Sequence, residues 1–428
     1  MPILKTIRAY LDIPAYWRIF MENLNSIILL NIYGQDKPGL TAALTAILAK
    51  YNATILDIGQ ADIHNTLSLG IMFKAEHAED SGNILKDLLF ESYELDINVK
   101  FTPISEAEYN AWVKRQGKNR YIITLLGRRI EAKQIAAVTK VIAKHELNID
   151  AITRLTGRVS LNEEENEKMR ASVEMSVRGT LKDRASLQMK LMDIAQDLGL
   201  DISFQEENVF RRSRRLICFD MDSTLIKTEV IDELAERAGV GKQVRAITES
   251  AMRGEIDFSE SFIKRVKLLK GLDESVMQDI ADHLPIMDGA DRLMSVLKKF
   301  GFKIAILSGG FTYFGNHLKQ RFGADYLYAN ELEIADGKLT GKFVGDIVDG
   351  RRKAELMRLI AQVENIDLQQ VIAVGDGAND LPMINQAGLG IAFHAKPKVK
   401  ENAKQSISNM GLDGVLYLLG YKDSLIQG

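Results

Sequence analysis

A chain of 428 residues exceeds what one ordinary hydrophobic core organises, so two or three domains are expected. Its 46% apolar and 26% charged content is that of a soluble globular protein, and a net charge of −3 gives no sign of the basic excess or stripe that a nucleic-acid binder needs. The single cysteine, Cys218, forbids an internal disulfide and points to a reducing compartment, while six scattered histidines form no zinc-type cluster.

Residues 1–22 mix Arg8, Asp12, Pro14 and Arg18 with apolar residues and lack the continuous apolar core of a secretory signal. No stretch approaches the ~20 apolar residues of a membrane span. The reading is an amphipathic lead-in on a cytoplasmic protein with neither a membrane nor a nucleic-acid partner.

A first unit is expected over residues 23–102. Ser26–Tyr33 reads as a strand, Gly34–Leu40 as a turn and Leu40–Lys50 as a helix. Ala53–His64 and Leu67–Phe73 are strands joined at Asn65-Thr66, followed by a helix over Ser81–Leu89 and a strand over Leu95–Phe101. This β-α-β-β-α-β order is ferredoxin-like. After a link over Thr102–Asn119 the order repeats within residues 119–208. Arg120–Leu126 is a strand, Ala132–Glu146 a helix, Ile149–Leu155 and Ala171–Arg178 strands, Leu181–Leu198 a helix and Asp201–Gln205 a strand. An acidic loop with Glu163, Glu164, Glu165 and Glu167 splits the middle strands. The copies lie too far apart for a solenoid repeat, which makes them a domain duplication.

Both units resemble ACT domains, small regulatory modules that bind amino acids and pair their sheets. The resemblance rests on the topology and on Gly34-Gln35-Asp36-Lys37-Pro38-Gly39, where Pro38 suits a helix start and the glycines allow close backbone approach. It implies a regulatory ligand, serine, near Gly34, Asp36 and Gly39, and a homodimer. A tight strand–helix connection accounts for the same residues equally well. The second copy, Gly127-Arg128-Arg129-Ile130-Glu131, keeps one glycine and no proline, which leaves packing or dimerisation as its role. Arg211-Arg212-Ser213-Arg214-Arg215 reads as a solvated linker between domains.

Residues 213–428 form the third expected domain. Leu216–Leu225, LICFDMDSTL, is an apolar strand running into Asp220, with a second acid at Asp222. In open α/β sheets ligands bind at that carboxyl edge. Two such carboxylates can divide one reaction, one attacking phosphorus and the other moving protons. Further apolar runs end in Ser308-Gly309-Gly310 and in Asp376-Gly377-Ala378-Asn379-Asp380, and Lys353 heads a helix after Gly350-Arg351-Arg352. A hydroxyl and bare amides at a helix start suit phosphate oxygens. A cation such as Lys353 is unfavourable at a helix start unless an anion is bound there, although a solvated lysine fits the pattern too.

This set resembles the haloacid dehalogenase superfamily, which matches Asp-x-Asp-x-Thr, a Ser after the second strand, a Lys and Gly-Asp-x-x-x-Asp. The resemblance implies a doubly wound parallel-sheet catalytic domain with a helical cap, preceded by two ferredoxin-like ACT-type domains. Asp222 points within the superfamily to phosphoryl transfer. The implied roles are Asp220 as nucleophile, Asp222 as acid and base, and Lys353 as countercharge. Mg²⁺ would be held by Asp220, Asp376 and the main-chain carbonyl of Asp222, with Asp380 orienting a metal-bound water.

Roughly 80 residues separate the first two segments, far more than a simple crossover. Helical patterns at Val230–Ala238 and Phe258–Leu269 make them a cap over about residues 230–286, with Glu229 at its entrance. Phe258, Phe262 and Arg265 share a helix face, where Arg265 either grips a carboxylate or snorkels at the edge of an apolar stripe. Tyr326–Gly350, turning at Ala335-Asp336-Gly337-Lys338, reads as a hairpin flap. DMDSTLIKTEVIDELA, FSESFIKRVKLLKGL, LSGGF and GDGANDLPM are similar to the phosphoserine phosphatase family. That similarity implies O-phospho-L-serine as substrate. Glu229 would take the ammonium and Arg265 the carboxylate, with Phe258 walling the pocket. Ser308, Gly309, Gly310, Lys353 and Asn379 would hold phosphate. The alternatives are another small phospho-amino acid as substrate, or a non-catalytic amino-acid sensor.

Overall fold

The computed structural model describes residues 27–77, 80–116, 119–158 and 170–426. The expected lead-in and the acidic loop with Glu163 lie outside them. The chain divides into two compact units, Met1–Gly117 and Lys118–Gly428. Among the described residues no helix is long and apolar enough to cross a membrane.

In the first unit, β1 (Ile27–Gln35), β2 (Thr54–Ile63), β3 (Thr66–Lys74) and β4 (Asn98–Ile104) form an antiparallel sheet in the order β2-β3-β1-β4. Alternate residues Ile28, Leu30 and Ile32 of β1 and Leu69, Ile71 and Phe73 of β3 share one core with helices Leu40–Lys50 and Asp80–Glu94. The β2–β3 turn is His64-Asn65, one position earlier than expected. Its φ values of 54° and 59° give the two left-handed residues of a tight hairpin turn, whose twist matches its strands. The second helix runs on to Glu94, and Asp96, at φ 55°, turns the chain so that the amide of Ile97 closes onto Ser92. The fourth strand therefore starts at Asn98 rather than Leu95. The expected link is largely a helix, Glu106–Gln116. Ser105 and Glu108 cap it reciprocally: the Ser105 amide donates to Glu108 Oε2 at 2.9 Å and the Glu108 amide to Ser105 Oγ at 3.2 Å.

The second unit holds two sheets. β5 (Arg120–Gly127), β6 (Asn148–Arg154), β7 (Ala171–Arg178) and β8 (Asp201–Glu206) repeat the first arrangement in the order β6-β7-β5-β8. The larger sheet contains β9 (Leu216–Phe219), β10 (Lys303–Phe311), β11 (Tyr326–Ala335), β12 (Lys338–Val344), β13 (Val371–Gly375), β14 (Leu389–Phe393) and β15 (Gln405–Ile407). Its order is β12-β11-β10-β9-β13-β14-β15, parallel except for β12. Central β9 is buried on both faces, with Ile217 and Phe219 in one core and Leu216 and Cys218 in another. Covered faces explain its unbroken apolar run.

Between β9 and β10 the chain inserts helices Val230–Arg237, Gly241–Met252, Phe258–Leu268 and Ser275–Asp282. The β11–β12 hairpin turns at Asp336-Gly337, with φ of 51° and 73°. The start of β11 pairs in parallel with β10, so the hairpin extends the sheet edge rather than standing free as a flap. Its backbone is bonded to the insertion: Gly271 donates to Leu339 at 2.8 Å, Leu339 to Leu272 at 2.9 Å and Glu274 to Gly337 at 2.9 Å.

The two sheets of this unit are joined through polar side chains. The Gln405 side chain pairs with both backbone groups of Phe204, at 3.0 and 2.7 Å, and caps the edge of β8. Asp201 accepts the amides of Ser408 and Asn409 at 2.8 and 2.9 Å. The Arg211–Arg215 segment is correspondingly not a solvated linker. It is a short bridge with Arg212 and Arg215 exposed, in which Arg211 is 4% exposed and pairs with Glu174 at 2.5 Å and Glu207 at 3.5 Å. Arg214 donates to the Gln369 carbonyl at 3.2 Å, and burial lowers its guanidinium to about 10. Arg211→Ala leaves Glu174 without its ion-pair partner while Glu207 keeps Arg212, so urea unfolding should show a loss of about 3 kcal/mol. Arg212→Ala, at an exposed position, should cost less than about 0.5 kcal/mol.

Candidate active site

β9 and β13 are parallel neighbours with Phe219 opposite Val374, so Asp220 and Asp376 leave the sheet at the same carboxyl edge. The Asp220 amide donates to the Val374 carbonyl at 2.9 Å, which fixes the start of that turn. Oxygens of Asp220, Asp376 and Asp380 converge to within 4.8 Å of one another. Lys353 enters from the first turn of helix Gly350–Val363, whose N-cap Asp349 accepts the Arg352 amide at 2.7 Å. Its ammonium is fully buried, 2.8 Å from Asp220 Oδ1 and 2.7 Å from Asp380 Oδ1. The other oxygen of Asp380 accepts the Gly377 amide at 3.0 Å. A side chain at Gly375 would collide with the Asp380 carboxylate, so only glycine lets that acid fold back over the strand end.

One ammonium does not balance this group. Burial, then the charge of Asp380, holds Asp220 well above the usual carboxylate range. Burial and then Glu229 do the same to Asp222. Asp376 is pushed up to about 7 by burial and by Asp380 and Glu229. Burial opposes the charge on Lys353, but Asp220 and Asp380 outweigh it and raise its ammonium. Converging, undercompensated hard oxygen donors fit a divalent cation of the Mg²⁺ or Ca²⁺ type.

Around this edge stand the groups that would meet a substrate. Asp222 Oδ1 accepts the Val230 amide at 3.0 Å. Ser223, left-handed at φ 55°, donates its hydroxyl to Glu229 Oε1 at 2.8 Å. Ser308 is buried, and its Oγ accepts the Gly310 amide at 2.9 Å. A Cβ on Gly309 would lie 2.8 Å from the Phe258 ring, and one on Gly310 would strike Asp222. The Ser308–Gly310 turn therefore runs between the insertion and the second acid. Gly350 packs on the Asn379 backbone and joins the Lys353 helix to the Asp376 turn. Phe258 and Phe262 stack at 6.3 Å. Burial lowers the Arg265 guanidinium against the raising charges of Glu229, Asp232 and Asp222, and its Nε donates to the Ser261 carbonyl at 3.4 Å.

The residues proposed from sequence for the catalytic site thus lie on one edge and the insertion beside it. Gly34, Asp36 and Gly39 belong to the first unit. There Gly39 is left-handed at φ 96°, and a Cβ on Gly34 would lie 2.7 Å from Ile97, so packing alone requires the first glycine. Sequence reasoning missed Thr224, whose hydroxyl is 3.5 Å from Asp376, as well as Asp232 beside Arg265 and the buried Asn330. Thr224 and Asp232 sit within motifs already singled out, whereas Asn330 carries no motif.

The ACT domain family matches residues 26–102 and, separately, 120–205, and the haloacid dehalogenase-like hydrolase family matches 214–388. The chain is 38% identical to phosphoserine phosphatase SerB2 of Mycobacterium tuberculosis, over 92% of this chain and 93% of that protein. It is 37% identical to the phosphoserine phosphatase of Streptomyces coelicolor, over 92% of each. The chain belongs to the phosphoserine phosphatase family. A haloacid-dehalogenase-family hydrolase of Salmonella enterica serovar Typhi superposes with a TM-score of 0.59 at 30% identity, over 70% of this chain and 98% of that one. An unliganded probable phosphoserine phosphatase of Vibrio cholerae gives 0.55 at 31%, over 73% and 93%. This chain thus joins two ACT domains to a haloacid dehalogenase-like hydrolase domain.

The acid cluster has a measurable signature without metal. Asp376 keeps its proton up to about 7, whereas an unperturbed aspartate loses it near 3.8. Between those values the folded state binds more protons than the unfolded one, so stability falls as pH rises through this window. Thermal melts in EDTA should show that decline, Asp376→Asn should make it shallower, and Mg²⁺ should raise the melting temperature at pH 7.

Proposed function

We propose that the chain hydrolyses O-phospho-L-serine to L-serine and phosphate, the last step of serine biosynthesis, through a phosphorylated Asp220. The observation that carries this reading is the buried Asp220–Lys353–Asp380 ion triad with Asp222 on the same turn. It offers a nucleophile, a countercharge and a second acid at one strand end. The phosphoserine phosphatases of Mycobacterium tuberculosis and Streptomyces coelicolor, similar over nine-tenths of the chain, support the same substrate.

Asp220 attacks phosphorus, and the bond from phosphorus to the serine oxygen breaks. Asp222, whose proton affinity burial and Glu229 raise, protonates the departing oxygen. Asp222 then takes the proton of the water that hydrolyses the aspartyl-phosphate. Lys353 neutralises charge on the transferring group, and Ser308, the Gly309 and Gly310 backbone and Asn379 hold its oxygens. Mg²⁺, held by Asp220, Asp376 and the Asp222 main-chain carbonyl with Asp380 behind them, would supply further positive charge to the phosphoryl oxygens. Glu229 and Arg265 take the ammonium and carboxylate ends of the substrate beside Phe258, and the helical insertion serves as the cap. In this reading the enzyme is a cytoplasmic homodimer, and serine binds near Gly34, Asp36 and Gly39 of the first ACT domain.

Turnover of phosphoserine, phosphothreonine and phosphohomoserine with Mg²⁺ tests the substrate, and phosphoserine should dominate. No phosphate release from any small ester would favour a non-catalytic sensor. Asp220→Asn should abolish turnover while the melting temperature is kept. Arg265→Ala should lower kcat/KM on phosphoserine by roughly 10²-fold, the scale of losing a bidentate carboxylate contact, while sparing an aryl phosphate. Equal losses on both substrates would make Arg265 structural.

A further inference from the structure

The ladder between β10 and β11 breaks where the site needs it to. Leu307 pairs with Tyr328 and Phe311 with Asn330, so Ser308, Gly309 and Gly310 face only Ala329 across the strands. The bulge releases this turn from sheet pairing, but it also takes the Gly309 and Gly310 carbonyls out of the ladder. Carbonyls partly withdrawn from water still need partners. Asn330 supplies what the ladder does not. Its Nδ2 donates to the Gly309 carbonyl at 2.8 Å and to the Gly310 carbonyl at 3.4 Å. Its Oδ1 accepts the Val348 amide at 2.8 Å. Asn330 is 1% exposed, and it is the one fully buried residue of β11, in a place where packing alone would select an apolar side chain.

Val348 directly precedes Asp349, the N-cap of the Lys353 helix. One amide therefore ties the turn bearing Ser308 to the start of the helix bearing Lys353, two elements distant in sequence. We propose that Asn330 is a positioning residue for phosphoryl transfer, fixing the Ser308–Gly310 turn and the Lys353 helix at the separation the phosphoryl group requires. This rests on the assignment of those two elements to phosphate made above. Small misplacements of such groups cost on the order of 10²-fold in rate.

Asn330→Asp separates positioning from packing. It keeps the shape and the acceptor for Val348 but replaces the donor with an oxygen facing two carbonyls. The full-length protein with Mg²⁺ should lose roughly 10²-fold in kcat/KM, and equally on phosphoserine and on an aryl phosphate, because both share only the phosphoryl group. Calorimetric titration with orthovanadate should show weakened binding in Asn330→Asp and Asn330→Ala, at an unchanged folded fraction by circular dichroism. Wild-type rates and vanadate affinity in Asn330→Asp, or a loss confined to phosphoserine, would overturn the proposal while leaving the phosphatase reading intact. If the wild-type protein cleaves the aryl phosphate but not phosphoserine, only the substrate assignment fails, and the Asn330 comparison is still decided on the aryl ester. A wild-type protein that neither binds orthovanadate nor releases phosphate overturns both.

Discussion

The Lys353 ammonium, buried between Asp220 and Asp380, is the constraint on which the rest of the catalytic unit depends. Without it, several carboxylates would meet at one strand end with no countercharge, and a buried uncompensated charge costs several kcal/mol. Even with it, burial and the neighbouring carboxylates raise Asp220, Asp222 and Asp376. The fold bears this because rigid elements deliver every member: two adjacent parallel strands, one helix start, and glycines that admit side chains where a Cβ could not fit. Such a site is paid for in stability, and in exchange its charges need no rearrangement when the phosphoryl group arrives.

The acid cluster and the residues proposed for recognition sit on different parts of this unit. Asp220, Asp376 and Asp380 gather at the sheet edge, whereas Phe258 and Arg265 belong to the inserted helices. The insertion is not independent of the sheet, because three backbone hydrogen bonds join it to the β11–β12 hairpin and Phe262 meets the Phe343 ring edge-on at 5.4 Å. The insertion is thereby held against the far strand of the hairpin, β12.

The catalytic edge was legible because parallel strands buried on both faces leave an unmistakable trace. LICF, KIAIL and VIAVG are apolar runs that stop at acids or at Ser-Gly-Gly, and the order of the stops fixes the edge. The repeated β-α-β-β-α-β order was legible from periodicity. What escaped were features that only tertiary structure determines. Arg211 looks solvated in a run of arginines, and only the approach of two sheets buries it beside Glu174. Asn330 looks like any polar residue of an edge hairpin until the bulge opposite creates a need for its amide. The helix at Glu106–Gln116, by contrast, was readable from Ser105-Glu106-Ala107-Glu108, and the absence of a clear apolar stripe concealed it.

The second ACT-like sheet shows how a duplicated module becomes part of its neighbour. The face of β5, β7 and β8 turned away from its own helices carries Thr124, Ser172, Ser203 and Gln205, all buried, although polar side chains there would suit a wet surface. Gln205 instead donates to the Leu418 carbonyl at 2.9 Å, and Leu126 and Leu155 join the core of the catalytic sheet. Asp201, raised by burial and held by three donors from Ser408 and Asn409, closes one end of the junction. Gln205, Gln405 and Asp201 give this interface directional bonds, and losing any of them strands a buried group. The second copy is thus built into the catalytic unit through this polar face together with Leu126 and Leu155.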